Sequence, residues 1–227
     1  MIRNVAALVF SCALATAAMA HFPFLVPDGP SKGKLVFSDT LKPDDKGVPV
    51  DKIAGTKLAV LASGKVAELP LTLDKAANCY TFEVPGTESW IVVGTTDYGV
   101  LQRGEGKPMW LRYYPKAIFG DISTAKNATA GSRVPLELVP IVDGGKLKFR
   151  ALAAGKALVK AEVTVMVPGE EKTKVIVTDD SGMTTGFDKA GTYGAYFRNV
   201  EVKPGEQGGK KYEEIRNYAT LVVAFGK

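Results

Sequence analysis

The sequence predicts an all-β chain folded into two β-sandwich domains, on three observations. Apolar residues alternate with period two or gather in short runs, and almost nowhere follow the 3.6-residue period of a helix. The runs are separated by turn chemistry drawn from 24 glycines and 13 prolines. A small polar stretch near the middle divides a less regular first half from a more regular second half.

The chain opens with a secretory leader. Arg3 gives the start a positive charge, Val5 to Ala17 is apolar apart from Ser11 and Thr16, and Ala18-Met19-Ala20 is a small-x-small cleavage site. The apolar run is too short for a stable membrane span. Lipoprotein processing at Cys12 is the lesser reading, because bulky Phe10 precedes it and a good cleavage site follows. The expected division is a signal peptide over 1–20, an N-terminal sandwich over 21–122, a linker over 123–132 and a C-terminal sandwich over 133–227. The expected location is periplasmic or secreted, with no membrane insertion of the mature chain.

After the leader, Phe22, Phe24, Leu25 and Val26 predict a strand-docked terminus. Lys34–Ser38 is a short strand, and Leu41-Lys42-Pro43-Asp44-Asp45-Lys46-Gly47 is a turn. Lys57–Ala62 and Val66–Leu73 form a hairpin across Ser63-Gly64-Lys65, with Pro70 marking an edge or a break. Cys79–Val84 alternates, with Tyr80, Phe82 and Val84 on one face. Trp90–Val93 reads as a buried strand, and Met109–Tyr114 as an aromatic strand ended by Pro115. Ser123–Ser132 is the linker, and its formal glycosylation sequon at Asn127 reads as linker chemistry. The second half carries strands at Val134–Val139, Lys146–Leu152, Ala161–Val167, Lys174–Val177, Gly191–Phe197 and Ala219–Phe225, a spacing that suits an Ig-like sandwich.

Composition narrows the function. The formal charge is +5, with Lys and Glu interspersed and no basic block among aromatics, so nucleic acid is not an expected partner. The chain has two cysteines, one of them in the leader, so Cys79 has no disulfide partner within the mature chain. Stability rests on a packed core, which 46% hydrophobic residues can supply.

His21 is the sole histidine. Cleavage after Ala20 makes it the N-terminal residue, where α-amine and ring Nδ1 can close a chelate on one metal ion. Nitrogen donors suit copper, nickel and zinc. The square-planar motif built on deprotonated amides needs histidine at mature position three, which is Pro23 here and has no N–H. The site therefore needs completion from elsewhere. Asp97, after the strand Val92-Val93, is the first expected partner; Tyr98, Met109 and Glu83 follow. The alternative reading of Asp97 is a turn residue before Gly99, and that of His21 a chance residue on a frayed terminus.

No enzymatic constellation emerges. A copper monooxygenase brace needs a second histidine, a catalytic zinc site needs two or three, and Ser-His-Asp chemistry would need His21 itself as base. Cys79 reads as a buried inert thiol, and Asp44-Asp45 and Asp179-Asp180 as turns rather than calcium loops.

The second half resembles exported transthyretin-like or carboxypeptidase-regulatory-like β-modules, through Gly155–Val163, Thr178-Asp179-Asp180-Ser181-Gly182 and Ala190-Gly191-Thr192-Tyr193. The mature chain resembles a periplasmic family of unknown function catalogued with nickel and cobalt uptake components. The matching pieces are His21-Phe22 after the leader, Leu111-Arg112-Tyr113-Tyr114, and Arg216-Asn217-Tyr218-Ala219-Thr220-Leu221. That resemblance implies a divalent transition metal (nickel, cobalt or copper) and a membrane metal transporter or other envelope protein as partner. The rival expectation is a structural or protein-binding module of the envelope without metal.

Overall fold

The computed structural model describes residues 21–44, 48–62, 65–85, 89–120, 122 and 128–226. The expected leader, with Cys12, lies outside these residues, as do Asn127 of the sequon and the first half of the expected linker, 123–127.

Strands dominate. An outer sheet of four strands has the order β1 (Phe22–Pro27), β2 (Lys32–Ser38), β6 (Cys79–Glu83) and β5 (Thr72–Asp74). A second outer sheet joins β11 (Lys156–Ala157), β10 (Lys146–Ala153) and β9 (Leu136–Asp143). Between them runs an eight-stranded sheet. Its order is β13 (Lys174–Val177), β12 (Glu162–Met166), β14 (Gly191–Glu201), β17 (Glu214–Phe225), β8 (Met109–Phe119), β7 (Trp90–Leu101), β3 (Lys57–Ala62) and β4 (Lys65–Leu69). A small hairpin, β15 (Gly205–Gln207) with β16 (Lys210–Tyr212), precedes β17.

The β-sandwich architecture is as the patterning predicts, but the two sandwiches share their middle sheet. β8, from the first half, pairs in parallel with β17, from the second, in a ladder from Met109↔Glu214 to Ala117↔Val222. Parallel neighbours cannot be joined by a tight turn. No local sequence signal announces this pairing, so a boundary at 123–132 separates stretches of chain that are hydrogen-bonded together.

Strand alternation then gives each face its own core. Val93, Tyr114, Ile118, Leu221 and Val223 point to the β9–β10–β11 layer, where Leu138, Leu147 and Phe149 are fully buried. Val92, Tyr113, Ala117, Phe119 and Val222 point to the other layer, with Phe24, Leu25 and Leu35 at its centre. Each valine, leucine, isoleucine or phenylalanine among them contributes roughly 1.5–3 kcal/mol on burial.

Two prolines behave differently from one another. Pro70 breaks the expected Val66–Leu73 strand into β4 and β5, which join different sheets. Pro115 does not end its strand: β8 runs on to Phe119, because the β17 side of the ladder continues through Thr220↔Pro115. On its other side the β7 pairs stop at Val93↔Lys116 and resume at Thr96↔Tyr113, and Gly94 faces the ring. A Cβ on Gly94 would lie 2.8 Å from Pro115 Cγ.

A buried ion pair ties the end of the linker to the central sheet. Lys116 Nζ lies 2.8 Å from Glu137 Oε2 and donates to Ala128 O at 2.5 Å. The carboxylate also accepts from Ala130 N–H at 2.8 Å and Thr129 Oγ1 at 2.6 Å. Burial by itself would raise the Glu137 carboxyl. The Lys116 charge, aided by these hydrogen bonds, outweighs it and holds the group below the usual carboxylate range.

Candidate functional site

His21 stands at the entry to β1, one residue before the ladder pair Phe22↔Ser38. β1 is firmly seated. Phe24 and Leu25 are fully buried, Phe22 stacks on Tyr196 at 4.1 Å between ring centroids, and Pro23 O accepts from buried Thr220 Oγ1 at 2.7 Å. The expectation of a docked rather than frayed segment after His21 therefore holds.

The partner of the ring is Asp44. His21 Nε2 lies 2.5 Å from Asp44 Oδ2, with side-chain exposures of 13% and 18%. An ionised carboxylate can only accept, so Nε2 carries the proton of this bond, and in the neutral form of the ring Nδ1 is the nitrogen with the lone pair. The other ring neighbour is Phe37, tilted at 5.7 Å.

Local chemistry delivers Asp44 to this place. After β2, Ser38 Oγ accepts from Thr40 N–H and Thr40 Oγ1 from Lys42 N–H, two successive hydroxyl turns that fold the chain back. Asn78 then clamps the loop from the other side. Its amide donates to Asp44 O at 2.6 Å and its carbonyl accepts from Val50 N–H at 2.9 Å. Asn78 has φ 47°, a left-handed conformation that asparagine tolerates better than most residues. The turn reading of this stretch, part of which lies outside the described residues, misses the carboxylate's job. The turn residues in sequence gave no hint of a partner 23 positions earlier.

Asp97 does not join His21. It lies within β7, not on a loop end, and pairs with Arg112 in the β7–β8 ladder. Its Oδ1 accepts from Trp110 Nε1 at 2.7 Å and Gly99 N–H at 3.0 Å, and its Oδ2 from Gln207 Nε2 at 3.0 Å. Arg112, across the ladder from it, sits over Trp110 and Tyr114, on the face that carries the β9–β10–β11 core. His21, through Phe37, belongs to the other face. A sheet separates the two expected ligands.

The weaker candidates divide the same way. Tyr98 is on the His21 face, linked through Phe37 (5.9 Å) and to Tyr113 (5.9 Å) in an aromatic cluster. Burial pushes the Tyr113 hydroxyl well above its ordinary value, so it stands as a phenol. Met109 is buried at the start of β8, and Glu83 is exposed, opposite Lys32 at the end of β6. Cys79 is fully buried, and burial raises its thiol, in keeping with an inert side chain.

Among the described residues no three His, Cys, Asp or Glu side chains cluster tightly enough to hold a metal ion. What the site offers is one imidazole oriented by a carboxylate, a single nitrogen donor and not a closed structural site.

No family model matches the chain, and no curated protein matches it. Among solved structures the chain is similar to a two fibronectin type-III domain segment from chicken tenascin, at 13% identity over 87% of this chain and 96% of that one, with a TM-score of 0.20.

Proposed function

We propose that the chain is an exported periplasmic accessory protein that binds a divalent transition metal (nickel, cobalt or copper) through His21 as its mature N-terminal residue. It serves a membrane metal uptake or homeostasis system and is not an enzyme. One observation carries this reading: Asp44 takes the Nε2 side of the ring, so the nitrogen left open is Nδ1, the one that can chelate together with the α-amine of the same residue. A carboxylate on the far nitrogen of a ligating histidine fixes its tautomer and raises its basicity. The remaining coordination positions would be filled by water or by the acceptor protein, which suits transfer better than storage. Asp97 has no part in this site.

The test is copper(II) and nickel(II) titration of the processed protein beside a copy carrying one extra N-terminal residue, which removes the free amine from His21 and keeps the ring. Tight binding only by the processed form supports the chelate; equal or absent binding in both forms overturns it. In the second reading the protein is a metal-free envelope module that binds protein. The exposed valines of β13 favour that reading, and equal or absent binding would leave it standing.

A further inference from the structure

β13 ends the central sheet on the side away from β4. Its inner edge is fully committed. Thr178 N–H donates to Ala161 O at 2.9 Å, and the ladder continues as Val177↔Glu162, Ile176↔Val163, Val175↔Thr164 and Lys174↔Val165. In an antiparallel ladder, alternate residues turn their backbone groups to opposite edges. Ile176 and Lys174 therefore bond to β12, while the N–H and C=O of Val175 and Val177 point outward. The side chains of these two valines are 63% and 55% exposed. They lie on the face where Thr164 pairs with Tyr196, and Tyr196 in turn stacks on Phe22. There the outer sheet stops short, leaving an open cleft of about 460 Å³ between Phe22, Tyr196 and Val175.

We propose that β13 pairs edge to edge with β13 of a second copy of this chain, antiparallel, about a two-fold axis through Ile176. This register sets Val175 of each copy opposite Val177 of the other. Both are outward-bonding residues, so each pair exchanges backbone hydrogen bonds, and their side chains form one apolar row on one face. Charge selects the same register. Lys174 falls opposite Thr178, and Lys172 comes alongside the hydrogen-bonded turn Asp179–Gly182 of the other copy, which carries Asp180. Lys172 and Asp180 have no ion-pair partner within the chain among the described residues. Centring the pair on Val175 or on Val177 instead sets only one of the two valines against a valine of the other copy. A slip of one residue sets outward-bonding groups against inward-bonding ones. Lysines on an edge strand ordinarily deter pairing; here the second copy's acidic turn answers them. The contact is isologous and closes at a dimer. It continues the sheet on the same face, so the two clefts lie side by side, each walled by the residue that follows His21.

Sedimentation velocity on the processed chain over a concentration series tests this. The wild type should shift from monomer to dimer as concentration rises. Val177→Pro removes an outward N–H that the inner ladder does not use and should leave a monomer with an unchanged far-UV spectrum. Lys172→Asp should weaken the dimer, and the double variant Lys172→Asp/Asp180→Lys should restore it. That charge exchange decides the matter if the proline variant fails to fold. A wild type that stays monomeric at every concentration overturns the proposal, as does a folded Val177→Pro or a Lys172→Asp variant that dimerises like the wild type.

Discussion

His21 Nε2 and Asp44 Oδ2 lie 2.5 Å apart across 23 residues of sequence, and this pairing leaves Nδ1 as the ring's open donor. If that nitrogen chelates with the α-amine, His21→Ala abolishes copper(II) and nickel(II) binding. Asp44→Asn keeps the shape but loses the anionic acceptor, and should weaken affinity about 10–100-fold. Asp97→Ala should leave affinity unchanged, because that carboxylate is on the other face with Trp110 and Gln207. Calorimetric titration of the three processed variants checks the order; an Asp97→Ala effect as large as that of Asp44→Asn would refute the assignment.

The shared middle sheet predicts how the chain unfolds. Phe24 and Phe149 occupy the cores on its two faces, and both are fully buried. Phe24→Ala and Phe149→Ala should each cost about 3–5 kcal/mol. Each should also shift one common urea transition followed by fluorescence and circular dichroism. Two separable transitions, one moved by each variant, would mean that the parallel β8–β17 pairing does not couple the halves.

The Lys116–Glu137 pair is 2% and 3% exposed, so its value depends on both members being present. Lys116→Met alone strands a buried carboxylate and should destabilise the chain by about 3–5 kcal/mol. Lys116→Met with Glu137→Leu should recover much of that loss. Chemical denaturation of the two variants measures the difference.

Glu137 also sets an acid limit. Its folded carboxyl titrates below the ordinary value of 4.5, so it favours the folded state fully above that pH. The contribution declines as pH falls from 4.5 through the folded value. Melting temperatures between pH 6 and pH 3 should therefore fall less steeply in Glu137→Gln than in the wild type (roughly the carboxylate range of the reference values).

Gly94 and Pro115 make a matched pair in the middle of the central sheet. Gly94→Ala places a Cβ 2.8 Å from both Leu58 Cδ2 and Pro115 Cγ. Leu58 can move, but the proline ring is held in β8, so the variant should lose about 1–3 kcal/mol. Thermal melts of Gly94→Ala and of Gly94→Ala with Leu58→Ala separate the two contacts; the second should recover little.

Alternation, turn chemistry and the near absence of helical periodicity determined the all-β class and most of the strands, because these signals are local and each strand buries alternate residues. Lys57–Ala62 and Lys174–Val177 are legible to the residue. The docking of the segment after His21 was readable too, since Phe22, Phe24 and Leu25 have nowhere to go but a core. Strand ends were less legible: β7, β14 and β17 run several residues beyond their apolar runs, where ladder partners rather than hydrophobicity extend them. Only the tertiary structure decided that β8 and β17 pair in parallel, because hydrogen bonds between strands about a hundred residues apart leave no mark on local composition. It alone also decided the partner of His21. Asp44 and Asp97 look alike as acids in turn-like surroundings; which of them reaches the imidazole depends on the face of a sheet and on a loop clamped by Asn78.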